Sequence, residues 1–151
     1  MLRNLRKLFG VNDQAQDEVL EPVARRSARP PSAPALVNHT IIGQTMVITI
    51  VERELNMMVA ADICYDIKEL YAHQAGVRNI VLDLENIKYV DSAGLNAMVD
   101  LLGAVKRRHG RIGMAAATQH VEVLFKLTRL ELVFTIRRSV IEAIDAIEPK
   151  G

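Results

Sequence analysis

The chain has 151 residues, half of them hydrophobic and a quarter charged, which suits one packed domain; its formal net charge of +1 offers no global field for nucleic acid or an acidic substrate. A single cysteine, Cys64, excludes an internal disulfide and fits a reducing compartment. No apolar run reaches the ~18 residues of a membrane span, and no secretory apolar region follows the basic start, so a cytoplasmic location is expected.

Charge is unevenly spread. Residues 1–34 hold six Lys/Arg against four Asp/Glu, and residues 35–151 hold thirteen against fourteen, so the later part is nearly neutral. The first residues, "MLRNLRKLF", place Leu2, Leu5, Leu8 and Phe9 at helical spacing, with Arg3, Arg6 and Lys7 elsewhere. Two readings stay open for this basic amphipathic start. One is a frayed terminus, since so short a helix is marginal in water. The other is a segment that orders on a partner or on an anionic membrane surface. Residues 10–35 are polar, charged and rich in proline, and bury too little apolar surface to offset their ordering entropy. Residues 1–35 are therefore expected to form a flexible tail, and residues 36–148 the folded domain.

Within the domain, "LVNHTIIG" and "TMVITIVE" are short β-branched runs on either side of Gly43-Gln44, the pattern of an antiparallel hairpin. "MMVAADICYDIKELYAHQ" sets Ala60, Ile63, Cys64, Ile67, Leu70 and Tyr71 on one helical face and ends near Gly76. Cys64 lies on that apolar face and reads as a small core residue. "RNIVLDLEN" is a nearly continuous apolar run, as in a strand covered on both faces. After Ser92, Leu95, Met98, Val99, Leu102 and Val105 recur at helical spacing up to "KRRHG", whose cations suit a helix C-terminus before Gly110. A weaker strand, "RIGMAAA", precedes a short helix, "QHVEVLFKLT". "LELVFTI" then reads as a strand and "RSVIEAIDAI" as a helix capped by Ser139. The order β-β-α-β-α-β-α-β-α predicts an α/β fold, a mixed and mostly parallel sheet covered by about four helices.

The junction "YVDSAGL" (residues 89–95) carries the chemistry of interest. A serine just before an apolar-periodic segment is a common helix N-cap, so Ser92 is expected to accept an amide of the first turn. Asp91 gains there from the positive end of the helix dipole. Gly94 is unfavourable inside a first turn and needs another reason, of which a close backbone approach is one. A nucleophile reading fails on the pattern, because "VDSAG" lacks the first glycine of the G-x-S-x-G elbow. No catalytic residues are assigned, and no enzyme is expected. One cysteine and four unpaired histidines (His39, His73, His109 and His120) give no metal-ligand spacing, and no phosphate-cradling glycine loop occurs, so no metal or cofactor is expected. Lys106, Arg107, Arg108 and Arg111 read as a solvated helix end. Three Tyr and three Phe, without basic interleaving, argue against nucleic acid. Modification is the remaining reading of Ser92: a phosphate adds about −1.5 to −2 charge. A helix N-terminus tolerates it, while Asp91 repels it.

The stretch "IVLDLENIKYVDSAGLNAMVDLLGAVKRRHGRIGMAA", followed by "VEVLFKLTRLELVFTI", resembles the STAS domain of bacterial anti-sigma-factor antagonists, over about residues 36–147. The resemblance implies a non-enzymatic protein that binds an anti-sigma factor, often itself a serine kinase. The serine after the Asp, here Ser92, would be phosphorylated by that kinase and restored by a phosphatase. It implies a docking surface of Asp91, Ser92, Ala93, Gly94 and Leu95, with Asn56 nearby. It also admits a second role, a non-phosphorylated structural subunit of a stress-signalling or lipid-transport ATPase complex.

This chain departs from the family pattern in three places. Ala93 stands where many members have a second hydroxyl, leaving Ser92 the only one in the motif. "RELN" stands for Gly-Glu-Leu/Ile-Asp, with Asn56 in place of the Asp expected near the serine. "TRL" stands for Thr-Gly-Leu, so Arg129 is expected either to accept a positive φ with strain or to take another turn.

Overall fold

A computed structural model describes residues 32–148. The tail pattern of Leu2, Leu5, Leu8 and Phe9, and residues 10–31, lie outside the described residues. Strands β1 (Val37–Ile42) and β2 (Thr45–Ile50) form the expected hairpin across Gly43-Gln44, with Gly43 at φ 61°. A two-residue strand, β3 (Glu54–Leu55), precedes helix α1 (Ala60–Ala72). Then follow β4 (Asn79–Asp83), the short β5 (Tyr89–Val90), α2 (Ser92–Lys106), β6 (Ile112–Ala115), α3 (Gln119–Leu127), a 3-10 turn (Leu130–Leu132), β7 (Thr135–Arg137) and α4 (Val140–Ile147). The five longer strands make one sheet in the order β1-β2-β4-β6-β7, antiparallel only between β1 and β2; β3 and β5 pair parallel in a separate ribbon. This is the mixed, mostly parallel sheet with four helices that the sequence predicts.

The two-residue period of the strands divides the core. Met46, Ile48 and Ile50 of β2, Ile80 and Leu82 of β4, and Ile112 and Met114 of β6 face α1, α2 and α3. The alternate residues Val47, Val81 and Ala115 face Ala143, Ile144 and Ile147 of α4. Covered on both sides, β4 needs its near-continuous apolar run. Gly113 lies against α4, where a Cβ would meet Ala143 Cβ at an ordinary contact distance of 3.5 Å. Glu148, just past α4, accepts the Thr45 hydroxyl at 2.7 Å and the Gln44 amide at 3.3 Å, tying the chain's end to the hairpin.

Several local expectations are corrected. The helix does not begin at Met57; Asn56 to Val59 form a turn, α1 starts at Ala60, and it ends at Ala72 rather than near Gly76. Only Thr135 and Ile136 of the run "LELVFTI" are strand, continued by Arg137, because the turn after α3 folds Leu130–Leu132 into a 3-10 helix that buries Leu130. Arg129 takes the strained option, at φ 60°. Gly110 takes part in the stop after α2, its amide bonding back to the Val105 carbonyl at 3.0 Å while the left-handed residue is His109 (φ 58°), and it also permits a close approach, since a Cβ there would stand 1.8 Å from the carbonyl oxygen of Arg78.

The basic cluster is only partly a solvated helix end. Arg108 donates to the carbonyls of Tyr71 (2.8 Å), Ala72 (3.3 Å), Gln74 (3.2 Å) and Val77 (3.2 Å) and lies 4.1 Å from the Tyr71 ring centroid. It thereby ties the end of α2 to the C-terminus of α1 and the loop after it, adding a charged donor to carbonyls of which Tyr71 and Gln74 also accept backbone amides. Cys64 is buried on α1 as expected. Burial pushes its thiol from 9.0 up to about 12, with Lys68 opposing and Asp100 reinforcing the rise. A reactive thiolate is thus disfavoured. Lys68 pairs with Asp100 across the α1–α2 contact.

Two variants test these features. Arg108→Ala is expected to lose about 2 kcal/mol of stability in urea denaturation, since it removes several charge-assisted hydrogen bonds and a cation–π contact, while Lys106→Ala stays within ~0.5 kcal/mol. Arg129→Gly is expected to gain about 1 kcal/mol in the same assay by releasing the left-handed strain.

Candidate functional site

The site stands where the chain leaves the C-terminal ends of the parallel strands β2 and β4. The β3–β5 ribbon zips these two exits together. Glu54 registers with Tyr89 and Leu55 with Val90, and the Asp91 amide extends the ladder to the Leu55 carbonyl at 3.2 Å. The Arg53 carbonyl accepts the Lys88 amide at 2.7 Å.

Asp91, and not Ser92, caps α2. Its backbone is extended (φ −99°, ψ −174°) and its Oδ1 accepts the Gly94 amide at 3.0 Å. Its Oδ2 accepts the Met57 amide at 2.9 Å, so one carboxylate joins both exits. This corrects the expectation for Ser92, which is the first residue of the helix and exposed; among the described residues its hydroxyl has no hydrogen-bond partner. Either residue type can cap. The choice falls to Asp91 because only a carboxylate one position earlier has a second oxygen to offer Met57.

Gly94 is explained by the close approach anticipated for it. A Cβ there would stand 2.3 Å from the Leu55 carbonyl oxygen and 2.8 Å from Val90 Cγ1, so the first turn of α2 abuts the ribbon only without a side chain. Gly94 and Leu95 are both buried, and Leu95 belongs to the main core. Their side chains therefore present nothing at the surface. Ala93 is half-buried and Ser92 exposed. Asn56 is half-buried, its Oδ1 accepting the Met58 amide at 3.0 Å and its Nδ2 donating to Glu54 Oε2 at 3.0 Å. The Asn56 turn and the α2 start are thus brought together, through the Met57 amide on Asp91.

Met57 and Met58 were missed as surface residues because their apolar type fits a helix start. They are 75% and 79% exposed, whereas Met46, Met98 and Met114 are buried. Tyr89 is also exposed, at 47%. Among the described residues no group of three or more His, Cys, Asp or Glu could hold a metal ion, and no helix is long and apolar enough to cross a membrane.

A model of the STAS domain family matches residues 9–143. The chain belongs to that family. Solved structures share the fold. An anti-sigma-factor antagonist (STAS) domain protein from Planctomyces limnophilus is 19% identical with a TM-score of 0.67, over 77% of this chain and 100% of that one. An anti-sigma factor antagonist from Mycobacterium paratuberculosis is 19% identical with a TM-score of 0.61, over 74% and 92%. The Bacillus cell fate determinant SpoIIAA in its phosphorylated form is 19% identical with a TM-score of 0.55, over 73% and 97%. In this STAS domain the serine-bearing helix start is a preformed element: its cap, its close packing and its neighbouring turn are all fixed within the chain.

Denaturation of single variants separates the parts. Asp91→Ala is expected to lose about 2 kcal/mol by freeing two amides. Gly94→Ala is expected to lose about 3 kcal/mol through overpacking against backbone, and Ser92→Ala to stay within ~0.5 kcal/mol.

Proposed function

We propose that this chain is an anti-sigma factor antagonist that binds an anti-sigma factor with serine-kinase activity and is switched by phosphorylation of Ser92, a phosphatase restoring the binding form. The observation that carries this reading is the exposed, unengaged Ser92 hydroxyl at the first position of a helix whose cap also holds a turn displaying Met57 and Met58. Asp91, Ser92, Ala93 and the Asn56–Met58 turn form the docking surface, with Gly94 and Leu95 beneath it as support. The two exposed methionines supply apolar, adaptable contact area. A phosphate on Ser92 sits at the positive end of α2, so the fold tolerates it. It also places a charge of about −1.5 to −2 beside Asp91, on a surface that a partner must desolvate. That one relative of the same fold is known in a phosphorylated form supports the reading.

One observation favours the second role, a non-phosphorylated structural subunit of a stress-signalling or lipid-transport ATPase complex. The family pattern has an Asp at the position of Asn56, and here the amide is engaged with Glu54 instead of offering a carboxylate to a kinase. The two readings separate on one experiment. With an anti-sigma kinase and ATP, the wild-type chain is expected to gain one phosphate at Ser92 by mass spectrometry and Ser92→Ala none. Ser92→Asp is expected to bind the kinase at least about tenfold more weakly, or ~1.4 kcal/mol. Full-strength binding by Ser92→Asp contradicts the switch, and recovery of a larger assembly that Ser92→Ala leaves intact supports the structural role.

A further inference from the structure

The two edges of the five-stranded sheet are built differently. The β7 edge has three residues, carries Arg137 with Arg138 directly after it, and packs against α4. Short length, charge and cover are the usual guards against adding another strand. The β1 edge has none of them. It is six residues long, "VNHTII", without proline, lysine, arginine or acid, and every residue after Val37 is exposed, Ile41 at 41% and Ile42 at 48%. Among the described residues nothing pairs with its outer side.

The register on β2 fixes which backbone groups are left over. Val51 donates to Leu36 at 2.9 Å, and Val37 registers with Ile50, so in the alternating antiparallel pattern Asn38, Thr40 and Ile42 bond inward to β2. The amides and carbonyls of Val37, His39 and Ile41 therefore point outward. This set is self-complementary. A two-fold axis through His39 pairs Val37 of one copy with Ile41 of the other and His39 with itself, so that every outward group of the strand is satisfied. The same register sets Val37 and Ile41 side by side across the junction and brings no lysine, arginine or acid of the strand together. Pairing β1 with β7 would set six residues against three and against Arg137, and would leave open ends; pairing β1 with β1 closes.

We propose that β1 is a self-association surface through which two copies of this chain join edge to edge into one continuous sheet. The occupant is a second copy because the strand's length, its outward hydrogen-bonding set and its lack of charge match their own two-fold image, while the opposite edge of the sheet is closed to it.

Analytical ultracentrifugation of the full chain tests this. The wild type is expected to move from 16.8 kDa towards twice that mass with rising concentration. His39→Pro removes an outward amide without touching the β2 ladder, and Ile41→Lys adds a guard charge with the backbone unchanged. Each is expected to weaken the dimer about tenfold or more while the circular dichroism spectrum stays that of the wild type. A wild type that stays monomeric to its solubility limit overturns the proposal. So does a dimer that Ile41→Lys leaves at full strength, whether or not His39→Pro folds.

Discussion

One carboxylate organises the functional end of this molecule. Asp91 spends one oxygen on the Gly94 amide and the other on the Met57 amide, so the loops leaving β2 and β4 become one surface. That bridge exists because β3 and β5 hold the loops in register, and the register is compatible with α2 only because Gly94 has no side chain to strike the Leu55 carbonyl. Below it, Leu95, Met98 and Val99 anchor the same helix in the core. The sheet, the ribbon and the helix start are thus mutually dependent, and the serine is the exposed residue at their meeting point.

This arrangement suits a switch that works by charge and not by rearrangement. Ser92 contributes no bond of its own to the cap, so changing it leaves the carboxylate bridge in place. Under the proposed phosphorylation, the surface alone would change: two exposed methionines, Ala93 and a hydroxyl would become the same face with a phosphate. The proposed self-pairing of β1 uses a different element, the sheet edge, so dimer formation and docking at the serine do not compete for the same residues.

Much of this was legible in the sequence because burial imposes periodicity. The run Asn79–Asp83 reads as a doubly covered strand, and the stripe Leu95, Met98, Val99, Leu102, Val105 as the inner face of α2, since both patterns follow from where side chains point. Gly94 was legible as a close approach because a glycine in a first turn needs a reason. The cap was not: Asp and Ser are equally good caps, and a tertiary contact, the Met57 amide, selects Asp91. Leu130–Phe134 looked like strand because Val133 and Phe134 have high β propensity and lead into Thr135, yet the left-handed turn at Arg129 commits Leu130–Leu132 to a 3-10 helix. Arg108 was invisible for a different reason. Its partners are backbone carbonyls 31 to 37 residues away, which leave no mark on side-chain pattern.

The central claim is that the start of α2 and the Asn56–Met58 turn form one fixed platform through Asp91, independent of the charge carried at position 92. Amide hydrogen exchange at Met57 and Gly94 measures it directly. The account predicts that both amides are protected to a similar degree, and that Ser92→Asp leaves this protection unchanged. Unprotected exchange at Met57 in the wild type, or loss of protection at both amides in Ser92→Asp, would contradict it.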